Sequence, residues 1–557
     1  MNECSFREFR KLCSKVSHES SYIKKTKLIK DFLSCYTNDQ IYIIIKLLLP
    51  KFNNNVYNIS DKQLIKLFGY IFKYDINIML NDLENGYISE TIKKSYLCSN
   101  TFLPIKKSIM SINYVYDFLC DLSNLTKYNE RINVLEQVIK KSTANDIKCI
   151  VMLIKNDLQI KAGPKCILNS LNVNAYDHFK MCKNIDDVIN NVFKNNIHLN
   201  IILMKPFEPM VAEPCKSIKK TITKFKDGLF SEIKYDGERI QIHKNGIKYA
   251  YFSRNLKHVI QNKIENFDIY INKAFPNNKN LILDSEIVLI NTKSKEILPF
   301  GTLGINKRSE FKDVTTCLFI FDCMYINDNS LLHLPLIERR KILSDNIKTV
   351  DNKVLLSEMK IVHTENDINN MFDKVINNGL EGLMLKDITG KYEPGKRKWI
   401  KLKRNYINTI SDTIDLVVLG SYYGKGSKGG SMSIFLMGCY NDHDNKWYTV
   451  TKCSGHDIQT LKKIQTELNM IKISKDSSKI PEWLIINKCY YPDFVVSDPK
   501  KSQVWEITGA NFSTSKTHTA NGISIRFPRF IKIRYDKDWK SSTNLTQLKE
   551  ISKMKNK

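Results

Sequence analysis

The sequence predicts a multidomain α+β protein with an all-helical N-terminal part, a mixed α and β middle, and a small C-terminal β-barrel. Three observations carry this expectation. At 557 residues the chain exceeds what one hydrophobic core usually serves. Apolar residues recur at three- and four-residue spacing before Pro206 and largely at two-residue spacing after it. Turn-forming Gly-rich stretches gather in the second half, as at Gly424–Gly430.

Residues 1–203 read as helical, with stripes at Ile41–Leu49, Leu64–Phe72 and Ile132–Ile139 and few Gly or Pro. Asp157-Leu-Gln-Ile-Lys-Ala-Gly-Pro-Lys165 departs from the pattern as a turn centred on Gly163-Pro164. Such a loop can bring backbone amides and the ammonium groups of Lys161 and Lys165 to phosphates; a plain interhelix turn explains the spacing equally well. Residues 204–406 are mixed. Glu238–His243 and Ile247–Phe252 flank Lys244-Asn-Gly246, a hairpin signal, and Leu281–Ile290 and Cys317–Tyr325 are further strands. Helical patterns intervene at Leu336–Leu343 and Ile368–Asn377. Residues 407–557 give strands at Leu416–Gly420, Met432–Cys439, Trp447–Cys453 and Ile523–Ile533, with one helix at Asp457–Leu468. An OB-fold barrel with a short basic tail fits that pattern. Within it, Arg526 and Arg529 flank Phe527-Pro528, where proline is expected to keep the chain extended.

Composition narrows the function. The chain is 42% hydrophobic and 26% charged, as soluble globular proteins are. Lys and Arg outnumber Asp and Glu by 86 to 58, a net charge of +28. That excess favours a polyanionic partner, because each neutralised phosphate releases a counterion; a solubilising surface or compositional drift are the bland alternatives. Fourteen cysteines are scattered from Cys4 to Cys489 without a C-x-x-C pair, which argues against zinc fingers and a disulfide framework. There is no signal-peptide core, and the most apolar run is broken by Lys46 and stopped by Pro50. A soluble, intracellular protein with no membrane partner is expected.

The most informative segment is Glu232-Ile-Lys-Tyr-Asp-Gly-Glu-Arg239, where a strand pattern stops at Lys234 and a glycine follows three residues later. An amine that attacks an α-phosphate needs such a strand end, and must be neutral when it attacks; nearby cations or desolvation lower its pKa. Downstream, Lys401 and Lys403 alternate with Ile400 and Leu402, so their ammonium groups share one side of a strand. Alone that is an exposed face; facing a phosphate site it would bind the α-phosphate and depress the pKa of Lys234. Glu286 shares a face with Asp284 and Val288, opposite Ile287 and Leu289. It is either a solvated carboxylate or a ligand group.

Glu232–Arg239 resembles motif I of the covalent nucleotidyltransferases, which include DNA ligases, RNA ligases and mRNA-capping guanylyltransferases. The remaining motifs follow in order: Phe252-Ser-Arg-Asn255, Leu283-Asp-Ser-Glu-Ile-Val288, Phe319-Ile-Phe-Asp-Cys-Met-Tyr325, Glu381-Gly-Leu-Met-Leu-Lys386, Trp399-Ile-Lys-Leu-Lys403 and Ile523-Ser-Ile-Arg-Phe-Pro-Arg529. The whole set is similar to ATP-dependent DNA ligases. Val495-Val-Ser-Asp-Pro499, Val504-Trp-Glu-Ile507 and Ser515–Ser524 bring the likeness nearest to poxvirus members and the ligase III-type core. The expectation is that no N-terminal zinc finger precedes the core and no BRCT-like domain follows it, a minimal layout similar to the viral members. The resemblance implies a helical DNA-binding domain over 1–203, an adenylation domain over 204–406 and an OB-fold domain over 407–557.

It also implies site roles. Lys234 would carry AMP from ATP. Glu232, Arg239, Arg254, Glu286, Phe321, Lys386, Lys401, Lys403, Arg526 and Arg529 would bind the nucleotide, Glu232 and Phe321 at adenine. A strand phenylalanine such as Phe321 is otherwise ordinarily core. Glu286 and Glu381 would hold Mg²⁺, with Mn²⁺ a substitute, and Lys161, Gly163 and Lys165 would touch DNA. The expected partner is nicked duplex DNA, the expected state a monomer, and the expected place the host cytoplasm if the source is viral. The barrel would swing about a hinge near Lys403–Thr413. Two rivals are an mRNA-capping guanylyltransferase, fitted poorly by the large helical part and by Ile523–Arg529, and a silent nick-binding scaffold, which predicts decay at a chemical position where none is visible.

Overall fold

Polar caps start the N-terminal helices where Ser or Thr precedes an apolar stripe. The computed structural model describes residues 4–53, 55–84, 86–197, 200–225, 227–298, 313–403, 413–509 and 511–555. In it Ser60 and Gln63 close a capping box at helix Asp61–Phe72, and Thr143 and Asp146 close another at Ala144–Ile154. Each box satisfies amides that a first turn leaves open, typically contributing about 1 kcal/mol. The three expected stripes lie in helices Asn38–Leu48, Asp61–Phe72 and Tyr128–Ile139. Lys46, which interrupts the first stripe, is buried, and Asp186 meets its ammonium at 2.8 Å. A buried charge is tolerated there because it is paired.

The chain forms two compact units, Met1–Lys15 with Asn54–Ile160 and Ile410–Lys557, and Val16–Asn53 with Lys161–Thr409. The division crosses the helical part of the sequence. The limit expected at 406/407 lies outside the described residues, as does nearly all of the hinge segment expected over Lys403–Thr413.

In the second unit, eleven described strands make two sheets: β1 (Val211–Pro214), β2 (Leu229–Ile233), β3 (Glu238–Asn245), β4 (Lys248–Ser253), β5 (Asn280–Asn291), β6 (Val314–Ile326), β7 (Asn329–Ser330), β8 (Val354–Leu356), β9 (Met359–Val362), β10 (Gly382–Asp387) and β11 (Arg397–Lys403). One sheet has the order β1-β11-β10-β2-β9; the other runs β4-β3-β5-β6-β7, with β8 beside β6. The expected hairpin is β3–β4, turning at Gly246-Ile247, one residue later than the sequence suggested. Helices Ile218–Lys224 and Glu365–Asn377 supply apolar side chains to the outer core of the first sheet, with Leu383, Leu385, Ile400 and Leu402. Helices Phe267–Ala274 and Leu336–Asn346 do the same for the second, with Ile240, Leu283 and Ile287. The inner faces meet around Ile282, Phe321, Met324, Tyr392 and Trp399. By strand alternation Asp284, Glu286, Lys401 and Lys403 belong to those inner faces. This layering positions the site.

The inner layer also carries a buried histidine. His243 on β3 accepts from the Met204 amide through Nδ1 at 3.1 Å, so Nε2 carries its proton and donates to Gln241 at 2.9 Å. Burial holds the His243 pKa down to about 3. A group with a lowered folded pKa and an ordinary unfolded value near 6.5 contributes stability that is complete above that value and lost as pH falls toward the folded one. His243 is therefore expected to cost about 2 kcal/mol of stability between pH 7 and 5. Denaturant titrations should show His243→Gln with a shallower acid dependence than the parent; parallel curves would refute the assignment.

The first unit contains the C-terminal sheet: β12 (Ile414–Tyr423), β13 (Met432–Asn441), β14 (Lys446–Cys453), β15 (Met470–Lys472), β16 (Leu484–Ile485), β17 (Phe494–Val496), β18 (Val504–Thr508) and β21 (Arg529–Ile533), with β19 (Asn511–Thr514) and β20 (Ile523–Arg526) as a separate pair. Both faces of β12 are buried: Leu416 and Val418 join Phe435 and Trp505, while Val417 and Leu419 join Trp447 and Val495. The expected helix is Ile458–Glu467, capped by Asp457. The expected single strand Ile523–Ile533 is two strands, because Phe527 adopts φ 53, a left-handed conformation. Proline at 528 does not keep the chain extended there, as the sequence had suggested. A following proline favours extended backbone in the preceding residue as a tendency, and Phe527 departs from it.

Candidate active site

Lys234 stands immediately past β2, and its amide donates to the Gly382 carbonyl at 2.8 Å. That bond ties the lysine to the start of β10, so Glu381 lies beside it. Both Lys234 and Lys403 form ion pairs with Glu381, one on each carboxylate oxygen. Lys403 gets there because β11 runs antiparallel to β10 with Lys403 opposite Gly382 and Lys401 opposite Met384. Two motif glycines are required by close approach. A Cβ on Gly237 would lie 2.2 Å from the Ile287 carbonyl oxygen, and one on Gly382 would lie 2.1 Å from that of Leu402, at φ 145. Gly382→Ala is accordingly expected to destabilise the protein by at least about 2 kcal/mol and to displace Glu381. Urea denaturation checks this; an unchanged midpoint would remove the packing argument.

The electrostatics follow from this crowding. Burial pushes the Glu286 carboxyl up to about 7, against the pull of Lys234 and Arg239. Burial also raises Glu381, but the ammonium groups of Lys234 and Lys403 outweigh it and hold that carboxyl below its usual value. Lys401 is lowered first by burial, then by Lys403, Lys234 and Arg254, so those three cations face it. Arg254 itself is exposed in the turn after β4. The arrangement is an anion site with one amine, a surrounding set of cations and two carboxylates. Among the described residues no cluster of three or more His, Cys, Asp or Glu could hold a metal on protein ligands alone. Glu286 and Glu381 suit instead a hard cation that takes one or two carboxylates and keeps waters and substrate phosphates as its other ligands.

Other expected residues take different positions. Arg239, expected at ribose or phosphate, is engaged within the protein. Its guanidinium grips Asp284 through two bonds, Nε to Oδ1 at 2.8 Å and Nη2 to Oδ2 at 2.5 Å, and donates to the Met210 carbonyl at 2.7 Å. It lies 5.4 Å from the centre of the Phe321 ring and 5.0 Å from that of Trp399. The Lys386 side chain is 1% exposed, and its ammonium lies 2.5 Å from Oε2 of Glu232. Phe321 is buried with Trp399 set edge-on to it, whereas Phe319 stacks on Tyr235 at 4.3 Å.

Arg526 and Arg529 are exposed at the ends of β20 and β21 in the first unit. Lys161 and Gly163 are exposed ahead of helix Pro164–Leu171 and Lys165 is exposed in its first turn, which has no side-chain cap. Buried Lys25 donates to the Lys161 carbonyl at 2.9 Å and so fixes the loop. Sequence reasoning assigned no role to Asp284, Tyr392 or Trp399. Tyr392 donates to Asp284 at 2.8 Å and accepts from the Met210 amide at 3.1 Å. The one available signal was the shared strand face of Asp284 and Glu286.

None of the cysteines among the described residues is in a disulfide, and no helix among those residues is long and apolar enough to cross a membrane.

Comparison with known proteins bears on this geometry. Residues 209–403 match the ATP dependent DNA ligase domain, residues 5–172 the DNA ligase N terminus, and residues 428–537 the ATP dependent DNA ligase C terminal region. The chain is 50% identical to the DNA ligase of Vaccinia virus (strain Western Reserve) over 552 residues, covering 99% of this chain and 100% of that one. It is 44% identical to the DNA ligase of Fowlpox virus (strain NVSL), covering 99% and 98%. It is 37% identical to DNA ligase 3 of Dictyostelium discoideum, covering 99% of this chain and 51% of that protein. The solved structure Pmar-Lig_Pre. shares the fold at a TM-score of 0.57 and 16% identity, over 95% of this chain and 99% of that one.

Proposed function

The chain belongs to the ATP-dependent DNA ligases, and from that premise we propose that Lys234 is the residue that carries AMP. The observation that carries the reading is the convergence of Lys234 and Lys403 on the Glu381 carboxylate, with Lys401 near enough to feel all three charges. Ligases of this family seal 5′-phosphate/3′-hydroxyl nicks in duplex DNA at the expense of ATP. In the first step the Lys234 Nζ lone pair forms a bond to the α-phosphorus, the bond to the β-phosphate oxygen breaks, and pyrophosphate leaves. An amine proton is lost to the medium. In the second step a 5′-phosphate oxygen at the nick takes the adenylyl group as the P–N bond breaks. In the third the 3′-hydroxyl forms the phosphodiester and AMP departs. These are displacements at phosphorus, in which positioning and charge stabilisation dominate.

Within this scheme Lys401, Lys403 and Arg254 bind phosphate oxygens and stabilise the charge that develops on them. Phe321 lies on the adenine side of the site. Arg239 acts behind it, fixing the inner sheet through Asp284. Glu286 and Glu381 would hold Mg²⁺, whose chemistry there is neutralisation of developing phosphate charge. Arg526 and Arg529 would grip the departing pyrophosphate. Residues 1–203, 204–406 and 407–557 would act as the DNA-binding, adenylation and OB-fold domains of a monomer, active in the cytoplasm if its source is viral like its relatives.

The reading is tested by incubation with labelled ATP or GTP and a chase onto a nicked duplex. Label from ATP should enter the protein and pass to DNA; label from GTP alone would overturn it. The net charge of +28, with exposed Lys161 and Lys165, implies a second result. Nick affinity should fall by roughly 10²- to 10³-fold between about 50 and 200 mM salt, as counterion release requires for several phosphate contacts. Fluorescence anisotropy measures it, and a flat salt response would contradict the proposed interface.

A further inference from the structure

Tyr235, the residue after Lys234, reaches from one sheet of the second unit to the other. Lys234 itself is tied to the first sheet, where its amide bonds the Gly382 carbonyl at 2.8 Å beside Glu381. Tyr235 is tied to the second. It is 6% exposed, and its ring stacks on Phe319 of β6, with centroids 4.3 Å apart and planes 27° from parallel. Phe319 stands directly opposite Glu286 across the β5–β6 pair, so those two side chains share one sheet face. Val288, Ile290 and Cys317 belong to the same buried cluster as the tyrosine. The Tyr235 hydroxyl accepts from the Glu358 amide at 3.3 Å. Glu358 lies in the crossover from β8 of the second sheet to β9 of the first, and that crossover is pinned to both. The Ser357 amide donates to the Ile320 carbonyl at 2.9 Å, and the Glu358 carbonyl accepts from the Ile233 amide at 3.3 Å.

We propose that Tyr235 is a positioning residue for the nucleophile: stacked on Phe319, it holds the chain just past Lys234 against the sheet that carries Glu286. The Gly382 bond holds Lys234 against the sheet that carries Glu381. The amine is thereby registered between carboxylates on two facing sheets, and both of them feel its charge. In-line attack of Nζ on phosphorus needs such registration, since a misplacement of about 1 Å can cost on the order of 10²-fold. A nick whose 5′ end already carries AMP has no need of the amine, so its sealing does not draw on Tyr235. The inference rests on the reading of Lys234 as the AMP carrier.

The test follows single-turnover enzyme–AMP formation across ATP concentrations, together with sealing of a nick that already carries AMP. Tyr235→Leu is expected to lower the limiting rate of enzyme–AMP formation roughly tenfold to a hundredfold. KM for ATP and sealing of the adenylated nick should each stay within about threefold of the parent, a split that a general loss of structure would not produce. Tyr235→Phe, which keeps the stack, should recover the rate to within about threefold. Phe319→Leu should reproduce the loss, and the double leucine variant should fall no further than the slower single one, because each change removes the same contact. The positioning role is overturned by a parental rate in Tyr235→Leu, by a Tyr235→Phe as slow as the leucine variant, or by losses that multiply in the double variant. Adenylated-nick sealing that falls as far as adenylation overturns it too. Should Tyr235→Leu fail to fold, Phe319→Leu, at a half-buried position, carries the test through the same split. Failure of the Lys234 reading shows separately, as an adduct on another residue of the parent, and it removes this inference as well.

Discussion

Replacing Lys234 by alanine is expected to abolish enzyme–AMP formation and to lower the sealing of ordinary nicks by at least about 10⁴-fold. The size follows from the role: a covalent carrier has no substitute when its nucleophilic atom is gone. Lys234 is the lysine tied through its backbone to Gly382 and through its side chain to Glu381. Neighbouring Lys401 and Lys403 sit on a different strand and cannot take over its geometry. The variant should remain folded, because the Lys234 side chain is 23% exposed and fills no core. It should also join a nick whose 5′ end already carries AMP far better than an ordinary nick, since that substrate enters after the steps that need the amine. Measuring both substrates separates loss of the nucleophile from loss of the protein. Equal failure on both would mean that the substitution damages the site as a whole.

Glu381→Gln should give the second large effect, a fall of roughly 10²- to 10³-fold in the rate of enzyme–AMP formation. The amide keeps the shape of the side chain and removes its charge. Lys234 and Lys403 share this carboxylate, and without it two ammonium groups converge with no counter-charge between them. One of the two carboxylates suited to a divalent cation is lost at the same time. The rate should therefore become less responsive to added Mg²⁺, which a titration of adenylation against metal concentration detects. A parental rate with a parental metal response would show that Glu381 only balances charge in the resting protein.

The parts of this site that the sequence made legible are those set by local geometry. Strand alternation is a two-residue rule, and it placed Lys401 with Lys403, and Asp284 with Glu286, on faces that the structure turns inward. Helix stripes were equally readable because three- and four-residue spacing is local. Pairings that cross between distant segments were not readable. Arg239 meets Asp284 across 45 residues and Tyr392 across 153. The Lys386 ammonium meets Phe321 and Trp399, which come from opposite sheets. Phe527 illustrates a different limit. The preference imposed by a following proline constrains a residue statistically, and here the chain takes the rarer left-handed option.

The central claim is a covalent one, so the most direct measurement is a mass spectrum of the protein after ATP treatment and proteolysis. The peptide containing Lys234 should carry one AMP, bound through the side-chain nitrogen, and should lose it when nicked duplex is added. An adduct on another lysine, or an unmodified Lys234 peptide from protein that nonetheless seals nicks, would contradict the account.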